Sequence, residues 1–197
     1  MGKGLKPLKW VDTQINDWVV ESDFSPIGID EYTRFVPIAA VYALNLFGVE
    51  GRHRFMDRSA ILLASAVTAT VITKGIKWVA DVERPDGMGF DSFPSGHATI
   101  AFMAAEFMWQ EYRHRSPWYG VAAYTVAAGT GALRIYSNEH WLTDVMAGAG
   151  IGILSTKFTY WAYPRVKAKL FPRSELNTIT AFTYRDNTLC MVVGVRF

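Results

Sequence analysis

The sequence predicts an all-α fold: a helical bundle of five to six transmembrane helices, with an N-terminal amphipathic helix and a short C-terminal β-hairpin. Three observations predict it. Five apolar segments, roughly Phe35–Val49, Ser59–Val79, His97–Trp109, Trp118–Leu133 and Leu142–Tyr163, are set apart by polar breaks. Within them, "ILLASAVTATVI", "GVAAYTVAAGTGAL" and "VMAGAGIGIL" are rich in Ala and Gly, which let helices approach closely, as membrane helices do. The connecting loops also alternate in charge. Residues 51–58, 111–117 and 164–173 carry Arg52, Arg54, Arg58, Arg113, Arg115, Arg165, Lys167, Lys169 and Arg173, whereas "DVERPDGMGFDSFPSG" and "RIYSNEHWLTD" are rich in Asp and Glu. If all five segments span, the basic loops share one side, cytoplasmic by the positive-inside rule, and the acidic loops share the other. Length opposes this reading: several runs fall short of the ~20 apolar residues of a usual spanning helix, and the mean hydropathy is only +0.10. A soluble bundle gives no reason for the alternation, which decides for the membrane.

The elements follow in order. The opening residues "MGKGLKPLKWVDTQINDW" lack the long apolar core of a secretory signal, so either none is encoded or none is retained. Trp10, Val11, Ile15, Trp18 and Val19 then fall near one helical face. That helix either lies in the membrane interface or packs across the bundle end. After the five apolar segments, "TITAFTYRDNTLCMVVGVRF" changes to β-rich runs on either side of Asp186-Asn187, the pattern of a hairpin. The chain thus reads as a helical domain over 1–173 and a hairpin-like tail over 174–197. A net charge of +2 in 197 residues, with Lys and Arg in short clusters, argues against a nucleic-acid partner. A single cysteine, Cys190, excludes an intramolecular disulfide and a cysteine metal site.

Three polar islands carry candidate chemistry. In "KWVADVERP", Lys77 and Arg84 are seven apart, so on a continuing helix that Pro85 ends they would aim two cations at one point. The bland alternative is two membrane-border side chains snorkelling to water. In "FDSFPSGHAT", Ser95 suits an N-cap and Gly96 leaves the backbone open, so the helix start is an anion site by construction, with His97 on its first turn. Alternatively it is a capped helix with an incidental histidine. In "RIYSNEHWLTD", His140 and Asp144 are four apart, neighbours on one helical face, where a carboxylate can orient an imidazole as a nucleophile. Arg134 adds a fork for two phosphate oxygens. Alone, the His-Asp pair reads as readily as an interhelical ion pair. Under the spanning topology the three islands meet at one end of the bundle. Three cations beside two histidines would repel a metal ion, so the pocket suits a tetrahedral oxyanion, without metal or cofactor.

"K-x6-RP" at 77–85, "PSGH" at 94–97 and "R-x5-H-x3-D" at 134–144 resemble, in order, the three signature motifs of the type 2 phosphatidic acid phosphatase (PAP2) superfamily, a motif core over 77–144. The resemblance implies a PAP2/haloperoxidase-like bundle and a lipid phosphatase, similar to the branch that includes lipid A phosphatases. It implies that Lys77, Arg84, Ser95, Gly96 and Arg134 bind phosphate. His140 would be the nucleophile of a phosphohistidine intermediate, Asp144 its orienter and His97 the general acid and base. The partners implied are a lipid phosphate or diphosphate and the bilayer, at the periplasmic face of a bacterial inner membrane. One position departs from the pattern: Leu133 stands where the family usually has Ser before the arginine. The competing functions are a soluble acid phosphatase, a vanadium-dependent haloperoxidase using the same residues, and a lipid-headgroup binding or transport module without turnover.

Overall fold

A computed structural model describes residues 6–21, 28–170, 177–185 and 188–196. Among these, seven helices precede two strands: α1 (Lys6–Glu21), α2 (Asp30–Thr33), α3 (Val36–Leu46), α4 (Phe55–Ala80), α5 (Gly96–Tyr112), α6 (Trp118–Tyr136), α7 (Leu142–Leu170), β1 (Asn177–Arg185) and β2 (Thr188–Arg196). The chain divides into two compact units, residues 1–161 and 162–197.

In the first unit α5 is the central helix. Twelve of its 17 residues are buried. Ala101, Ala105 and Phe107 join Val41 of α3 and Ala123 and Ala127 of α6 in one cluster. The small residues marked in the sequence let the helices pack closely. A Cβ on Gly120 would come within 2.3 Å of the Trp109 ring, and a Cβ on Gly152 of α7 within 2.3 Å of the Thr99 carbonyl oxygen. The buried Glu106, 1% exposed, is satisfied inside the bundle, where it accepts hydrogen bonds from Gln110 and from Tyr124.

The α4 helix buries the polar Arg58, Ser65 and Thr73 beside Ile61 and Ala69, and exposes the apolar Leu63, Val67, Val71, Ile72 and Trp78. Among the described residues it is the one helix long and apolar enough to cross a membrane by length and composition, with mean hydropathy 1.6 over its apolar window. The five apolar segments all form helices, but their ends differ from expectation. The α4 helix stops at Ala80, where Asp81 turns left-handed at φ 45°, so Arg84 lies beyond the helix rather than on its last turn before Pro85. The α7 helix runs through Pro164 to Leu170, where a basic loop was expected. The residues after Pro164 are mostly good helix formers, and Lys167 and Lys169 in the last turn complement the helix dipole.

At the bundle end α1 packs across the start of α7. Asp12, 9% exposed, accepts from the Thr143 N–H at 3.0 Å and from its hydroxyl at 2.6 Å, supplying a cap to α7. Trp18 meets Tyr136 with ring centroids 5.6 Å apart, while Trp10 stays exposed. In the second unit β1 pairs antiparallel with β2, from Asn177 opposite Arg196 to Arg185 opposite Thr188. Asp186 and Asn187, the expected turn, lie outside the described residues.

Candidate active site

The N-terminus of α5 forms the floor. Ser95 is its N-cap, in extended conformation, its hydroxyl 3.5 Å from the Ala98 N–H it accepts. Ser95 is fully buried, and its own N–H donates to the Asp144 carbonyl at 3.0 Å, which ties α5 to α7. The Gly96 position is open: a Cβ there would meet nothing within 4 Å. The amides of Gly96 and His97, in the first turn, have no carbonyl one turn back to bond.

Lys77 and Arg84 converge through Asp91 rather than through a shared helical face. Arg84 donates from Nε to Asp91 Oδ1 at 2.7 Å and from Nη2 to Oδ2 at 3.1 Å, a bidentate pair. Lys77 Nζ donates to the Asp91 backbone carbonyl. Val82 and Asp91 form an isolated β-bridge, which brings the loop back onto the end of α4. Arg134, 5% exposed, is held by two carboxylates: Nη1 donates to Asp30 Oδ2 at 2.6 Å and Nη2 to Glu139. Glu139 also lies 3.5 Å from Arg84 Nη1, so one carboxylate bridges the two arginines.

His140 precedes α7 and Asp144 occupies its first turn, so they are not two residues of one helical face. The contact arises from capping: Asp144 Oδ2 accepts the Trp141 N–H at 2.9 Å, the return half of a capping box, and the same oxygen lies 3.6 Å from His140 Nδ1. Ser92 donates its hydroxyl to Asp144 Oδ2. With Nδ1 turned to the carboxylate, Nε2 is the nitrogen left for chemistry.

Six of the eight predicted residues line one cavity of about 370 Å³: Lys77, Arg84, Gly96, His97, Arg134 and His140. Ser95 and Asp144 stand behind it as supports. Residues the sequence reading had not singled out complete the site: Asp91, Glu139 and Ser92 within the motif loops, and Asp30, Glu31 and Arg34 from α2 and its end. His97 Nε2 lies 2.8 Å from Glu31 Oε1, and Arg34 pairs with the same residue at 2.6 Å. The acidic loops held Asp91 and Glu139 among several carboxylates, and nothing local to α2 marks Asp30.

Burial pushes the His140 imidazole below its ordinary value, against the opposing pull of the Asp144 carboxylate. The Arg84 hydrogen bond holds Asp91 below the usual carboxylate range, and the His97 hydrogen bond does the same for Glu31. Asp91 and Glu31 are therefore ionised at neutral pH, and His140 is neutral. Asp30, Glu31 and His97 place one potential ligand atom each within 4.8 Å of one another. Both carboxylates are already paired to arginines, and a metal ion there would face Arg34 and Arg134.

The family model of the PAP2 superfamily matches residues 58–168, which include every residue of the three motifs. The chain belongs to the PAP2 superfamily. Among curated proteins it is 38% identical, over 154 residues and 75% of its length, to a lipid A 1-phosphatase of Porphyromonas gingivalis, of which it covers 34%. It is 36% identical over 76 residues, 39% of its length, to the bacitracin transport permease protein BcrC of Bacillus licheniformis, of which it covers 36%. The chain thus spans about a third of the length of these relatives. The PAP2 fold is also seen in the crystal structure of Aquifex aeolicus LpxE, with TM-score 0.58 and 19% identity over 78% of this chain and 94% of that one. A second match is the transmembrane PAP2-type phosphatidylglycerolphosphate phosphatase of Bacillus subtilis, with TM-score 0.55, 21% identity, and coverage of 87% and 90%. At the position where this PAP2 sequence departs from its motif, Leu133 lines a second cavity of about 770 Å³ with Ile29, Val126, Ala132 and Tyr136. A serine would set a hydroxyl in that apolar wall.

Proposed function

We propose that the protein is a metal-independent phosphatase that hydrolyses a lipid phosphate or diphosphate through a phosphohistidine on His140. The observation that carries this reading is that His140, backed by Asp144, shares one cation-lined cavity with His97. In the first step His140 Nε2 attacks phosphorus, and the P–O bond to the lipid breaks as His97 donates a proton to the leaving oxygen. Asp144 stabilises the imidazolium that forms. In the second step His97 takes a proton from water, the oxygen attacks phosphorus, and the P–N bond breaks to release phosphate. Lys77, Arg84, Arg134 and the Gly96 and His97 amides hold the phosphoryl oxygens, where they stabilise the charge of the transition state. For this Arg84 and Arg134 exchange the carboxylates of Asp91 and Glu139 for the substrate.

The exposed apolar flank of α4 supports a membrane setting, since Leu63, Val67, Val71 and Trp78 face outward where a soluble bundle would put polar groups. In this reading the bundle sits in a bacterial inner membrane, with α4 crossing it and the site on the periplasmic face. The apolar cavity at Leu133 is a seat for a lipid chain beside Arg134. The relative named as a lipid A 1-phosphatase favours a phosphorylated lipid as substrate. The test is phosphate release from a panel of phosphatidic acid, phosphatidylglycerophosphate, undecaprenyl diphosphate and lipid A in detergent. At least one should be hydrolysed, with a loss of 10³-fold or more, to order of magnitude, in His140→Ala. Unchanged release in that variant contradicts the proposal.

A further inference from the structure

At the far end of α4 from the catalytic cavity, Arg58 lies about 28 Å from Lys77 along the helix at 1.5 Å per residue. A second polar cavity of about 840 Å³ opens there, lined among others by Asn45, Glu50, Arg52, Arg54, Phe55 and Arg58. Segment 51–58 stood out in the sequence only as a basic loop, and catalysis makes no use of it. Arg58 is 2% exposed. Its Nη2 donates to Asn45 Oδ1 at 2.7 Å, and its guanidinium sits 5.6 Å from the centre of the Tyr42 ring. Its Nε and Nη1 are buried with no hydrogen-bond partner among the described residues. A guanidinium keeps its charge when buried, so two idle donor nitrogens are an expense that a ligand would remove.

The surroundings do not remove it. Glu111, the buried acid nearby, is occupied by the His53 N–H at 3.1 Å, His53 Nδ1 at 2.8 Å and the Tyr160 hydroxyl at 2.7 Å. Asn45 is fixed from behind, donating to the Tyr112 hydroxyl at 2.6 Å. The cavity also holds the start of α4, a 26-residue helix whose N-cap, Arg54, gives no side-chain cap and whose first turn carries one carboxylate, Asp57. Arg52 and Arg54 add exposed positive charge against the single carboxylate of Glu50 in the lining. Leu46 and Phe55, 87% and 61% exposed, form an apolar rim.

We propose that this cavity is a second oxyanion site, which binds a phosphate group on Arg58, Arg54 and the start of α4. The apolar rim favours a phosphate carried on a lipid. Under the spanning topology it faces the leaflet opposite the catalytic pocket.

The test attaches an environment-sensitive fluorophore to Phe47→Cys, an exposed position beside the rim, in a Cys190→Ser chain in maltoside detergent. The label reports this end of the bundle and not the catalytic end. Separate titrations use inorganic phosphate and dihexanoyl phosphatidylglycerol. Saturation by both means that a phosphate group suffices; saturation by the lipid alone means that the rim is required; either supports the site. Affinity should fall at least tenfold in Arg58→Gln and at least threefold in Arg54→Gln. Should Arg58→Gln fail to fold, the exposed Arg54→Gln decides alone. No saturable response to either probe, or unchanged affinity in Arg54→Gln, overturns the proposal.

Discussion

At the scale of single residues, the site depends on how Asp144 is used. One carboxylate oxygen receives the Trp141 amide and the Ser92 hydroxyl and faces His140, so the group that caps α7 also fixes the imidazole. This sets a pH dependence. With His140 below its ordinary value of 6.5 through burial, the neutral nucleophile persists into mild acid, and the acid limb of kcat/KM falls below pH 6.5. Asp144 raises that value, so Asp144→Asn should move the limb to still lower pH while lowering kcat by roughly 10²-fold or more. Substrate ionisation is common to both proteins and cancels in the comparison; a limb that moves upward contradicts the assignment. The same residues mark how far the sequence could be read. The four-residue spacing of His140 and Asp144 points to a contact, but on a continuous helix face, whereas the helix begins between them. Seven-residue spacing likewise pairs Lys77 with Arg84, although Asp91, not periodicity, brings them together. Asp30 and Glu31 were illegible because their role depends on a four-residue helix meeting α6 and α5 from a distant part of the chain.

At the scale of elements, the small residues that identify the bundle also aim its chemistry. A Cβ on Gly148 would come within 2.5 Å of the Ser95 carbonyl oxygen, and one on Gly152 within 2.3 Å of the Thr99 carbonyl oxygen. Both clash with α5 backbone, which cannot rotate aside. Gly152→Ala should therefore destabilise the fold by about 1–3 kcal/mol. It should also lower kcat more than it raises KM, because α7 carries Asp144 and its carbonyl holds Ser95. Thermal unfolding together with steady-state kinetics checks this; wild-type values in both contradict it. Helix ends were less legible than helix cores. Pro85 is the obvious breaker after α4, yet the left-handed Asp81 ends it earlier, and Pro164 fails to end α7. Local residue preference sets a cost at such points, and neighbouring packing decides whether it is met.

At the scale of the whole molecule, two polar ends are separated by a helix whose outer face is apolar. The charge alternation of the loops predicts a sidedness that can be measured. In a Cys190→Ser chain, Met88→Cys in the acidic loop should react with a membrane-impermeant maleimide in intact spheroplasts, while Arg115→Cys in the basic loop should react only after lysis. Both positions are exposed in the fold, so the contrast reports topology. Equal labelling of the two would contradict the spanning arrangement. The catalytic proposal rests on a covalent intermediate at one atom. The most direct measurement is rapid acid-free quenching of the protein with a ³²P-labelled lipid phosphate, followed by mapping of the label. Acid-labile, base-stable phosphate on His140, absent from His140→Ala, is the predicted result. Turnover of the lipid by the protein without label on His140, or undiminished turnover in His140→Ala, would contradict it.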